Sequence, residues 1–240
     1  MVFCISLAAT FSSLHVANKY QRMLGIGDSV ANGIFIGAAL FHLMPDAISF
    51  FESKFIATPY LDAIFLAVGT FITLYLFERL ITSISKRHFL KMSAGLLVIT
   101  LSIHAFITGL ALGITNTLSI FSILMLAIFA HKGFEIFALV VTLLKKKLKT
   151  NNVRTVVLIF SGITPLGILL GDNSGLLFND TTKIFLSACF NAVAAGTFFY
   201  IGLTHEKHEL PTPRDSHHQY IHVLSTLTGI GLMAVLALWI

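Results

Sequence analysis

Long apolar runs separated by short polar connections fill almost the whole chain. A bilayer core takes about 20 mostly apolar residues per helix. Eight runs of about that length or longer can be marked out: 2–20, 29–51, 61–84, 90–114, 117–144, 153–171, 181–204 and 219–240. They are too long for membrane strands and lack the strict alternation of a barrel, so the pattern predicts helices. The connections are short, and residues 1–240 read as a single domain of eight transmembrane helices. The first run starts at Met1 without a basic leader region, which reads as a first span and not as a cleavable signal. Pro211 and Pro213 break the longest polar stretch, His205 to Gln219.

Composition agrees with this picture. The chain is 56% hydrophobic and 11% charged, less than half the charge of an ordinary soluble domain. Too little polar surface exists to cover a particle in water, so lipid is the expected surroundings. A formal net charge of +5 would suit a nucleic-acid binder. The positions of the charges exclude that, because they sit in short runs between apolar segments. Of the sixteen lysines and arginines, thirteen fall in the odd-numbered connections or at their edges, at 19, 22, 79, 86, 87, 91, 145, 146, 147, 149, 154, 207 and 214. The even-numbered connections hold only Lys54 and Lys183, and Lys132 lies inside a span. The positive-inside bias puts the thirteen in the cytoplasm and, with eight spans, both termini outside.

A charged group at mid-membrane is unfavourable by a few kcal/mol and needs a reason. Span 2 holds His42 and Asp46, span 4 holds His104 and Thr108, and span 5 holds His131, Lys132 and Glu135. In each span an oxygen-bearing side chain follows the histidine by four residues, which stacks the two on one helix face. If the three faces converge, up to three nitrogens and three oxygens meet. Such a mixture suits zinc, ferrous iron or manganese better than calcium. A histidine that only bonds a neighbouring helix is the plainer alternative. The GxxxG pairs Gly33/Gly37, Gly109/Gly113 and Gly167/Gly171 are expected to let backbones approach closely, with pathway lining as the alternative.

These same residues resemble a known family. Span 4 reads His104-Ala-Phe-Ile-Thr-Gly-Leu-Ala-Leu-Gly113 and is similar to the His-Ser-x-x-Glu-Gly-Leu-Ala-Leu-Gly signature of the ZIP transporters of zinc and iron. His131-Lys-Gly-Phe-Glu135 resembles the family's His-Lys-x-x-Glu variant, and Phe41-His-Leu-Met-Pro-Asp-Ala47 its Leu-His-Leu-x-Pro-Glu-Ala. Thr164-Pro-Leu-Gly-Ile in span 6 and Gly196-Thr-Phe-Phe-Tyr200 in span 7 also look like family motifs. The resemblance covers spans 2 to 7 in order. It implies an all-α bundle of eight helices with both termini extracytoplasmic, importing a divalent metal toward the cytoplasm as a homodimer. The cargo would be Zn2+, with Fe2+ or Mn2+ as alternatives, and no resident cofactor is implied. A plasma membrane or bacterial inner membrane would hold it. His104, His131 and Glu135 match family metal ligands, while His42, Met44 and Asp46 would stand near the site on helix 2.

Two departures bear on the chemistry. Thr108 replaces the usual acid, which removes a negative charge, and Lys132 stands where some members have an acidic ligand. The expectation is a single-metal site in which the Lys132 ammonium acts as a fixed counter-charge to Glu135. Protons compete with metal for imidazole, so uptake is expected to fall in acid. His205, Glu206, His208, His217 and His218 crowd the connection between spans 7 and 8. They read either as a solvated loop or as a landing site for exiting metal. A metal-binding sensor or a transport-deficient homologue is the alternative function, kept open by Thr108. An intramembrane metal-dependent hydrolase is more remote: it needs a general base beside an activated water, and no HExxH motif occurs.

Overall fold

The computed structural model describes residues 8–14, 24–52, 59–84, 89–115, 118–145, 148–175, 178–204 and 216–238. Among them the chain is almost wholly helical, with no strand. Helix α1 covers 8–14, and the rest of the expected first span lies outside the described residues. Helix α2 runs through Leu24–Ala38, a π turn at Ala39–Leu43, and Met44–Glu52. The others are α3 Pro59–Ile84, α4 Phe89–Ile114, α5 Leu118–Lys145, α6 Thr150–Gly175, α7 Asp180–Thr204 and α8 Ser216–Ala237. Seven of the eight, α2 to α8, are long and apolar enough to cross a membrane. Helix α6 starts earlier and ends later than the apolar run suggests, because polar Asn151, Asn152, Asp172 and Asn173 continue it at both ends.

The π turn in α2 has a local cause. Pro45 has no N–H to give to the carbonyl one turn back, and the wider turn just before it absorbs the break. One extra residue in the turn rotates everything beyond it relative to Leu24–Ala38. His42 lies inside the π turn and Asp46 just past it.

Helix α4 packs along α6, α2 packs along α8, and α7 touches α2, α3 and α4. Only 11% of the apolar stretch of α3, and of α8, is buried, so these two are the outer helices. Exposed Phe65, Ile72, Leu76 and Leu80 on α3 are the surface that lipid would cover. Glycine sets the closest contacts. Gly109 and Gly113 of α4 lie against Gly167 and Gly171 of α6, each Cα meeting a glycine Cα. Gly33 and Gly37 of α2 lie against α8, Gly33 opposite Gly229 and Gly37 against Ile230 and Met233. Gly229 belongs to no GxxxG pair, so its role was not legible from spacing.

A Cβ at position 109 would stand 2.5 Å from the Thr164 carbonyl oxygen, and backbone cannot yield as a side chain can. Gly109→Ala is therefore expected to lower stability by about 1–3 kcal/mol through overpacking. Gly69→Ala, where a Cβ meets open space, should leave the melting temperature unchanged or slightly raised. Thermal melts of both variants in one detergent check the contrast. Equal melts would show that α4 and α6 do not depend on glycine contact.

Candidate metal site

Three helices bring the chemistry together. Helix α4 supplies His104 and Thr108, α5 supplies His131, Lys132 and Glu135, and α7 supplies Thr197 and Phe198 as a wall. His104, His131, Lys132 and Glu135 are all at most 1% exposed. One ligand atom from each of His104, His131 and Glu135 lies within 4.8 Å of the other two, and no other such group occurs among the described residues.

The hydrogen bonds fix what each atom can offer. The Thr197 hydroxyl donates to the Ala194 carbonyl at 2.6 Å. Its oxygen is then the acceptor for His104 Nδ1–H at 3.0 Å. That leaves Nε2 of His104 as a bare lone pair. The Thr108 hydroxyl donates to the His104 carbonyl at 2.9 Å. Its lone pairs are thus free to face Nε2, 3.3 Å away. Glu135 Oε1 lies 3.6 Å from His104 Nε2 and 3.4 Å from His131 Nε2. Neither ring nitrogen of His131 has a hydrogen-bond partner. Both imidazole Nε2 atoms therefore face the same carboxylate oxygen at more than an ordinary hydrogen-bond distance.

The other carboxylate oxygen is differently placed. Lys132 Nζ donates to Glu135 Oε2 at 2.7 Å and to Thr164 Oγ1 at 3.1 Å. It also lies 4.3 Å from the centre of the Phe160 ring, a cation–π distance. A buried ion pair of this kind holds when the remaining donors are also matched, as they are here. Phe198 stacks on the His104 ring at 3.6 Å between centroids and meets the His131 ring edge-on at 5.4 Å. It packs against both imidazoles.

Of the six groups the histidine spacing suggested, the structure gathers His104, Thr108, His131 and Glu135. His42 and Asp46 form a separate pair, Nδ1 to Oδ2 at 3.3 Å, with His42 buried and Asp46 partly exposed. Met44, also on α2, is partly buried. His205, Glu206 and His208 lie outside the described residues, and His217 and His218 fall in the first turn of α8. Sequence reasoning assigned no role to Thr197, Phe198, Thr164 or Phe160. The first three stand in motifs already singled out, at Gly196–Tyr200 and Thr164–Pro165, and that was the available signal.

A family profile described as ZIP Zinc transporter matches residues 85–237. The chain belongs to the ZIP family. It is 30% identical over 155 residues to Zinc transporter 7 of Arabidopsis thaliana, covering 62% of this chain and 42% of the relative. Protein zntD of Dictyostelium discoideum is 33% identical over 149 residues, 60% of this chain and 21% of that protein. Zinc transporter ZIP1 of Danio rerio is 24% identical over 265 residues, covering 90% of this chain and 85% of the relative. The chain thus spans less than half the length of the first two. The ZIP family is one of transporters, not enzymes, and this member is a multi-pass membrane protein.

Proposed function

We propose that this ZIP member carries a divalent transition-metal ion, zinc foremost, toward the cytoplasm through the centre formed by His104, His131 and Glu135. The observation that carries this reading is the convergence of two imidazole nitrogens on Glu135 Oε1, at 3.6 and 3.4 Å, inside a fully buried pocket. Imidazole and carboxylate together replace much of a zinc ion's water shell. Three strong ligands, the Thr108 oxygen and water leave the ion releasable, as a carrier requires. Lys132 holds the second carboxylate oxygen, so the centre takes one ion, with the ammonium as a permanent second cation. His42, Met44 and Asp46 on α2 serve the extracytoplasmic approach. Import is the direction that the family resemblance implies, and the charge asymmetry supports an orientation with the connection after α5 in the cytoplasm and both termini outside.

The test is radiotracer zinc uptake into proteoliposomes. Saturable uptake, displaced by excess Mn2+ or Fe2+ but not by Mg2+, is expected, because nitrogen ligands discriminate against magnesium. Uptake displaced equally by Mg2+ would remove imidazole from the mechanism. Zinc bound without any uptake would favour a sensor, the reading that the neutral Thr108 supports.

Thr108 also gives a graded prediction. Thr108→Asp adds a carboxylate one helical turn from His104. Zinc is expected to bind about tenfold more tightly, a change of about 1.4 kcal/mol. The same gain slows release, so maximal uptake should fall as KM falls. Uptake kinetics and calorimetry on one preparation check both signs. An unchanged KM would place residue 108 away from the ion.

A further inference from the structure

Helix α2 carries an unexplained buried amide. Asn32 is 1% exposed, and neither its Oδ1 nor its Nδ2 has a hydrogen-bond partner. Buried side-chain polar atoms are nearly always paired, and an exception calls for an unseen water or ion. Asp28, one turn earlier, is buried as well, at 7%. Asp28, Asn32 and Phe35 are spaced i, i+4, i+7 on the regular stretch Leu24–Ala38 and therefore share one stripe.

Neighbours fix where that stripe points. The Phe35 ring packs on Phe198 with centroids 5.0 Å apart, and Phe198 stacks on His104. One turn further along α7, Gly202 faces the Asn32 backbone, where a Cβ would stand 3.0 Å from its carbonyl oxygen. On another side of α2, Gly27 abuts the Phe137 ring of α5. Asn32 and Asp28 therefore lie near the seam between α5 and α7, with the Phe35–Phe198 pair between them and His104. The start of α2 follows Lys19 and Arg22 and faces the cytoplasm on the charge rule. The two residues thus stand on the cytoplasmic side of the aromatic pair.

We infer that Asp28 and Asn32 form a second, weaker divalent-cation site that holds the ion between the His104–His131–Glu135 centre and the cytoplasm; this rests on the transport reading for its ion. A carboxylate and an amide oxygen, completed by water, are hard ligands. They bind a transition metal less tightly than a site containing imidazole. An ion handed from a nitrogen-containing site to an all-oxygen one is poised to leave, and conduction through several sites needs that descending order. The unpartnered Asn32 oxygen gains a partner whenever the ion arrives.

The experiment counts zinc ions bound to the purified full chain in nanodiscs, by calorimetry, for the wild type, His131→Leu and the double variant Asp28→Asn/Asn32→Leu. Histidines near α8 are unaltered in all three. The double variant is expected to bind one weak ion fewer and to keep the tight one, and His131→Leu to do the reverse. An unchanged ion count in the double variant overturns the inference and leaves Asn32 as a water-bonded residue. Loss of nothing in His131→Leu would instead remove the centre, while the weak site is still scored by the double variant. In proteoliposomes the double variant should lose at least tenfold in maximal uptake with KM altered less than twofold. Asn32→Asp, which keeps an oxygen ligand, should retain the weak ion. Asn32→Leu should melt no lower than the wild type, because the amide it replaces has no hydrogen bond to lose. A marked drop in that melt would show that Asn32 has a structural partner, and would overturn the inference too.

Discussion

Replacing His131 by leucine is expected to weaken zinc binding and uptake by about a hundredfold or more, yet leave the metal-free protein as heat-stable as the wild type. Loss of a mere outer-shell partner of a metal ligand lowers affinity by about 10–100-fold, so loss of a direct ligand should reach or exceed the upper figure. The stability half of the prediction comes from the packing. The His131 ring is 1% exposed, and neither nitrogen makes a hydrogen bond. Its structural contribution is contact with Phe198 and with His104, 6.1 Å away between ring centres. A leucine of similar volume supplies most of that contact. It also removes a polar group whose burial without a partner is unfavourable by about 1–3 kcal/mol. His104→Leu makes the useful contrast, because it deletes the bond to Thr197 and should melt lower. Thermal melts with and without zinc, beside calorimetry, decide the matter. Undiminished zinc binding in His131→Leu would exclude the ring as a ligand, and a collapse of the metal-free melt would assign it a structural task.

The contrast between these two histidines also shows what sequence could and could not carry. Both sit four residues before an oxygen in a long apolar run, and at that level they are equivalent, as is His42. Run length fixed the helices, since nothing but a helix spans lipid with such segments. Charge placement predicted their alternation across the membrane. Which helix faces would meet was a different question, because spacing defines a face within one helix and says nothing of its neighbour. The π turn at Ala39–Leu43 is the clearest case. It turns the His42–Asp46 face relative to the rest of α2, and the pair ends up bonded to itself. The proline that provokes the turn is visible in the sequence, but its effect on a face is not.

Asn32 illustrates the opposite limit. A single asparagine among apolar residues carries no periodic signal and passes for a helix-packing residue. Its isolation becomes visible only when every neighbouring donor and acceptor has been placed. Thr197 is similar: the motif around it was legible, but the tautomer it imposes on His104 depends on Ala194 taking its hydrogen. Lys132 was singled out from its departure from the family pattern; its offset of three from Glu135 puts both on one face, and the two are in contact at 2.7 Å.

That contact yields the second large effect. Lys132→Met is expected to destabilise the metal-free protein by about 3–5 kcal/mol, the usual consequence of leaving one member of a buried ion pair alone. For a chain of this size the melt should fall by roughly 10 °C, at about 2–4 °C per kcal/mol. Methionine fills the volume of the lysine stem and keeps a contact with Phe160, so the change isolates the charge. The carboxylate left behind faces two imidazoles on one side and an empty ammonium position, beside Thr164 Oγ1, on the other. A second zinc ion can take that position, and zinc at a hundredfold excess over its dissociation constant adds about 2.7 kcal/mol. The variant should therefore bind one more ion at the centre than the wild type and regain most of its melt in zinc. Lys132→Met/Glu135→Gln removes both charges; it should recover stability without zinc and lose the tight ion. If Lys132→Met melts like the wild type, the ammonium is no counter-charge. If it melts lower but zinc neither restores it nor adds an ion, Lys132 holds Glu135 in place without standing in for a metal. Rescue by zinc would mean that the wild-type centre carries two cationic positions, one of them permanently filled by its own side chain. A single ion then enters and leaves a site whose one negative charge is already balanced by the ammonium, which favours release over tight capture.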